Sequence, residues 1–88
     1  MSIKVTLSAP LSQRAGASQV DGSGGTLAEL LVHLDQRFPG MKEDIYSPSK
    51  NSVRDHVRIA INGTAIWKLD EKLVDGDEID IFMGRQGG

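Results

Sequence analysis

A chain of 88 residues and 9.5 kDa is long enough for one domain that buries about 60 to 65% of its unfolded surface, and too short for two. Ten Lys and Arg against twelve Asp and Glu leave a net charge of -2 and a pI near 5.5, with no basic run to track a phosphate backbone, so nucleic acid is not an expected partner. The absence of cysteine removes disulfides, thiolate metal sites and a cysteine nucleophile together, so any sulfur chemistry must use an atom supplied from outside.

Met1-Ser2-Ile3-Lys4-Val5 lacks the apolar core of a signal peptide, and no apolar run approaches the ~18 residues of a membrane span. A soluble, cytoplasmic protein with no membrane partner is expected. Ile3, Val5 and Leu7 alternate with Lys4, Thr6 and Ser8, the period of a half-buried strand, which Ala9-Pro10 stops. Ser18-Gln19-Val20-Asp21 predicts a weaker second strand, joined to the first as a hairpin with a loose turn. The following Gly22-Ser23-Gly24-Gly25 lacks the spacing and the lysine of a phosphate loop.

Thr26 and Glu29 have the spacing of a capping box, in which each side chain satisfies an orphan backbone N–H at a helix start. Leu27, Leu30, Leu31, Leu34 and Phe38 then form one apolar stripe that Pro39-Gly40 ends. His33 lies off the stripe with no metal-ligand partner at helical spacing, and reads as a solvated residue. Residues 41–56 show no period and read as an ordered start followed by a surface loop. Val57, Ile59 and Ile61 alternate again, and Asn62-Gly63 predicts a tight hairpin turn into a short return strand, Thr64-Ala65-Ile66-Trp67. After a charged connection over 68–72, Leu73 and Val74 are expected to anchor the chain to the core.

Asp75, Asp77, Glu78 and Asp80 lack the ligand spacing of a calcium loop and read as a turn with solvated charges. The last strand, 78–83, puts Ile79, Ile81 and Met83 on one face and Asp80 and Phe82 on the other. It delivers a flexible, glycine-rich tail over 84–88, Gly84-Arg85-Gln86-Gly87-Gly88. Two terminal glycines alone suit either a plain chain end or a handle that threads a narrow channel.

This order of elements, the Asp75-Gly76-Asp77-Glu78-Ile79 turn and the final Gly87-Gly88 resemble the ubiquitin-like β-grasp sulfur carriers, the ThiS and MoaD family. The resemblance implies one α+β domain over residues 1–88: a mixed sheet of four to five strands, its first and last strands parallel in the middle, with one main helix on one face. It implies that a ubiquitin-activating-type adenylyltransferase uses ATP to adenylate the Gly88 carboxylate. A persulfide or sulfide donor then makes a C-terminal thiocarboxylate that serves an acceptor synthase. The chain itself would bind no cofactor or metal and supply no catalytic residue. Gly87 would work with Gly88; Phe82, Arg85, Gln86, Gly84, Ala60 and Arg58 are the expected docking residues. Gln86 departs from the apolar residue that many carriers have there. The length of 41–56 leans towards the MoaD-like branch, so a molybdopterin synthase small subunit stays open, as does a ubiquitin-like modifier. The pathway that receives the sulfur is not written in these residues.

Overall fold

The computed structural model describes residues 2–49 and 52–84. Its elements are β1 (Ile3–Leu7), α1 (Leu11–Ala15), β2 (Gln19–Gly22), α2 (Leu27–Arg37), α3 (Met41–Ile45), β3 (Tyr46–Ser47), β4 (Ser52–Val53), β5 (Val57–Ile61), β6 (Thr64–Ile66) and β7 (Glu78–Met83). Five strands form one sheet in the order β2-β1-β7-β5-β6, with β1 and β7 parallel and every other neighbouring pair antiparallel. This is the β-grasp arrangement that the resemblance implies: the first and last strands meet in the middle, and the C-terminal segment leaves from a central strand.

The strand periods place the core. Val5 opposes Ile79 and Leu7 opposes Ile81 across the parallel pair, and Ile59 opposes Ile81 on the other side. These side chains share one face and are buried with Ile3, Val57 and the α2 stripe of Leu27, Leu30, Leu31 and Leu34. Ile61, expected in the core, is only partly buried, because it lies at the hairpin end of the sheet where less packs over it.

α2 starts as expected, with one change of partner. Thr26 Oγ1 accepts from the Glu29 N–H at 3.2 Å, while the Glu29 carboxylate reaches back to the N–H of Gly25, not Thr26, at 2.7 Å. The charged connection completes the cap: the carbonyls of Glu71 and Leu69 accept from the N–H groups of Leu27 and Ala28, at 2.9 Å each. Orphan donors at a helix start are thus met by a segment some forty residues away. Gly24 sits so close to this start that a Cβ on it would lie 2.6 Å from the Leu30 nitrogen, and its φ of +154° is open only to glycine.

Three expectations change. The loose turn after β1 contains α1, whose Leu11 is fully buried. The surface loop of 41–56 is instead α3 followed by the β3–β4 ribbon, with Met41, Ile45, Val53 and Ser47 buried. Asp35 Oδ1 accepts from the N–H groups of Gly40 and Lys42 at 3.1 Å each, and Arg14 pairs with Asp44 at 2.8 Å, so α3 is held from both flanking helices. Third, Leu73 is buried but Val74 is 62% exposed. Its N–H is committed to the turn below, which aims the side chain outward.

That turn is not wholly solvated either. Asp77 is buried; its carboxylate accepts from the Val74 N–H at 2.9 Å and from Asn62 Nδ2 at 3.0 Å. The Val74 N–H first, and the Asn62 amide second, hold this carboxyl below the ordinary aspartate range, against a smaller upward push from burial. Asn62, with φ of 50°, also accepts from the Glu78 N–H at 2.9 Å, so the hairpin turn is stapled to the start of β7. Because folding lowers this acid's pKa, its stabilising effect is complete above about pH 4, the unfolded value, and fades as pH falls through the folded one. Asp77→Asn should therefore lower the melting temperature at pH 7 and narrow its deficit against the unmutated protein as pH drops below about 4. Thermal denaturation at a series of pH values checks this; a constant deficit down to acid pH would assign the effect to shape, not charge.

Candidate functional site

The sheet face away from α2 carries the expected docking residues. Phe82, 43% exposed, stands opposite Arg58 across the β7–β5 pair, and Ala60 stands opposite Asp80 in the next row on that face. Thr6 flanks Asp80 on the other side, and Ala65 flanks Ala60, so the patch runs from β1 to β6. The alternation of β7 explains this placement: committing Ile79 and Ile81 to the core leaves Asp80 and Phe82 outside. Arg58 is fixed rather than loose, since its Nη1 donates to the Asp55 carbonyl at 2.7 Å and to its neighbour Val57's carbonyl at 3.3 Å.

Gly84, assigned to the tail from sequence, continues the ladder: its N–H donates to the His56 carbonyl at 2.5 Å. On the other edge of the strand, the Met83 N–H donates to Ser8 Oγ at 2.8 Å. Ser8 and His56 carry no motif and were not among the expected site residues; only the strand register brings them here. Arg85, Gln86, Gly87 and Gly88 lie outside the described residues.

No group of histidines and acids among the described residues could hold a metal ion. His33 is half-buried, not solvated, and its Nδ1 accepts from the Ser23 N–H at 3.3 Å, which makes it a tie between the glycine-rich turn and α2. An open groove of about 590 Å³, lined by residues of α2, α3, β3 and 69–70 such as Leu31, Val32, Lys42, Tyr46 and Leu69, shares no residue with the patch around Phe82. No helix among the described residues is long and apolar enough to cross a membrane.

Among solved structures, the chain is similar to the small archaeal modifier protein 1 (SAMP1) from Methanosarcina acetivorans, at 29% identity and a TM-score of 0.80, over 99% of this chain and 96% of that one. It is similar to a putative molybdopterin converting factor, subunit 1, from Pyrococcus furiosus, at 26% identity and a TM-score of 0.77, over 97% and 99%. CysO from Mycobacterium tuberculosis shares the fold, with a TM-score of 0.87 at 24% identity over 94% and 99%. No curated protein matches. The family model described as ThiS family matches residues 5–88, from the first strand through both terminal glycines, and the chain belongs to that family of ubiquitin-like sulfur carriers.

Proposed function

We propose that this chain carries sulfur on the carboxylate of Gly88. A partner adenylyltransferase joins that carboxylate to AMP, releasing pyrophosphate from ATP. Sulfide then displaces AMP to leave a thiocarboxylate, or a persulfide's outer sulfur displaces it as an acyl disulfide that a thiol of the donor protein cleaves to the thiocarboxylate, itself becoming a disulfide. The order follows from chemistry: a carboxylate is a poor electrophile until the adenylate supplies a leaving group, and a thiocarboxylate then holds nucleophilic sulfur on a protein. The family match through Gly87 and Gly88 carries this reading. The chain acts as a protein co-substrate, binding no cofactor of its own, and an acceptor synthase consumes the sulfur. Intact-mass spectrometry after incubation with ATP, a cognate adenylyltransferase and a sulfur donor tests it. The mass of one oxygen exchanged for sulfur is expected, and an active enzyme that leaves the protein unmodified would overturn the reading.

The likeness to an archaeal modifier favours one second reading, in which the same adenylate leads to conjugation of Gly88 to lysine amines. Covalent high-mass adducts in cells, without thiocarboxylate, would select it.

Phe82 anchors the activating enzyme in either reading. An aromatic side chain exposed on the strand that leads into the tail suits a hot-spot contact, so Phe82→Ala should raise the KM for adenylation about tenfold or more. Its unfolding midpoint should shift little, since the ring lies outside the core cluster. Unfolding of the variant with unchanged enzyme affinity in the folded fraction would remove Phe82 from the docking surface.

A further inference from the structure

We infer that Ser8 is a positioning residue which, with Gly84, clamps the end of β7 and sets where the reactive tail begins; the inference rests on the carrier reading above. β1 pairs with β7 as far as Leu7 opposite Ile81, and the Ser8 N–H donates to the Ile81 carbonyl at 3.1 Å. The chain then turns away through Ala9-Pro10 into α1, where the Ser8 carbonyl accepts from the Ser12 N–H at 3.0 Å, so that carbonyl is committed to the turn and not to the next donor along the edge, the Met83 N–H. Ser8 Oγ takes that place at 2.8 Å. On the opposite edge β5 opens at Val57 opposite Met83, and the Gly84 N–H reaches one residue past it, to His56. A Cβ on Gly84 would lie 3.1 Å from that carbonyl oxygen, closer than ordinary contact, so a side chain here pushes the two apart.

Two consecutive residues are therefore held from opposite edges, and four residues, 85–88, follow. Four residues span at most about 13 to 14 Å when extended. An enzyme that binds the tail must fix each backbone unit it engages, and a unit loosened by the loss of one hydrogen bond weakens binding by roughly 3- to 10-fold. Loosening Met83 and Gly84 adds to what the enzyme must fix, so the Ser8 hydroxyl is coupled to tail capture.

Ser8→Ala, Ser8→Thr and Gly84→Ala are compared in two measurements. Amide hydrogen exchange, read by NMR on the protein alone, should show Met83 and Gly84 exchanging about 3- to 10-fold faster in Ser8→Ala, with protection restored in Ser8→Thr, and Gly84 exchanging faster in Gly84→Ala. Adenylation kinetics should show KM raised about 3- to 10-fold in Ser8→Ala and Gly84→Ala at unchanged kcat, and a normal KM in Ser8→Thr. Unchanged exchange in Ser8→Ala would dissolve the clamp, whatever the chemistry of the tail. Faster exchange with an unchanged KM would remove the positioning role while leaving the carrier reading intact. Failure of the unmutated protein to be adenylated by an active enzyme would take away the carrier reading and the role with it.

Discussion

Leu31→Ala should lower the free energy of unfolding by about 2 to 5 kcal/mol, out of a total of about 5 to 10 kcal/mol expected for a domain of this size. Leu31 sits mid-way along α2 with no exposed surface, inside the cluster that joins the helix to β1, β5 and β7. Truncation removes three carbons from that contact and leaves a cavity whose walls are strands locked in a five-stranded sheet, so relaxation can fill little of it. The neighbouring residue is the internal control. Val32 is 42% exposed on the other side of the same helix turn, and Val32→Ala should move stability by only about 0.5 kcal/mol. Urea denaturation of both variants checks the pair. Equal midpoints for Leu31→Ala and the unmutated protein would contradict the packing of α2 on the sheet, and with it the fold that aims β7.

What could be read from the sequence follows from the range over which each signal acts. The strands β1, β5 and β7 and the stripe of α2 were legible because alternation and helical spacing repeat within a few residues, and one buried face imposes them. The type of turn at Asn62-Gly63 was legible for a local reason too, since both residues hold positive φ. α1 and α3 were not, because each has five residues, too few for a period to show, and Met41 with Ile45 offers only one helical repeat. Their burial depends on partners brought by the fold: Arg14 on Asp44, and Asp35 beneath the start of α3. Asp77 looked like one more solvated charge because its two donors, Val74 and Asn62, become its neighbours only when the hairpin docks on β7. The same division holds at the candidate site. The placing of Phe82, Arg58 and Ala60 on one outer face was legible from strand phase alone, which needs no tertiary contact. Ser8 and His56 act through one hydroxyl and one backbone carbonyl, and neither leaves a mark in composition or spacing.

Removing Gly88 should abolish sulfur loading while leaving the unfolding midpoint where it is. The two halves of this expectation have separate causes. Among the described residues the core cluster and its partly buried rim end at Met83, and Gly88 has no side chain to add to that packing, so the deletion should leave stability unchanged. The chemistry, in the proposed function, is confined to one carboxylate that must reach the adenylyltransferase's reacting phosphate. Shortening the chain by one residue withdraws the terminal carboxylate by about 3.3 to 3.6 Å. A misplacement of even 1 Å costs roughly 100-fold in rate, so the new terminus at Gly87 should react at under about 1% of the normal rate. Adding a residue after Gly88 should fail for the opposite reason, because an amide replaces the carboxylate at the required position. Gly88→Ala and Gly87→Ala add a single β-carbon each. At 88 it crowds the carbonyl that AMP and then sulfur approach, and at 87 it obstructs a passage matched to bare backbone, so both should slow loading with the carboxylate still in register. Intact-mass spectrometry on the four variants, run beside urea denaturation, reads both halves together. Equal loading of the Gly88 deletion would refute the requirement for the terminal carboxylate. A deletion that lowered the midpoint would instead show that the last residues hold the fold, and its loss of loading could then no longer be assigned to reach.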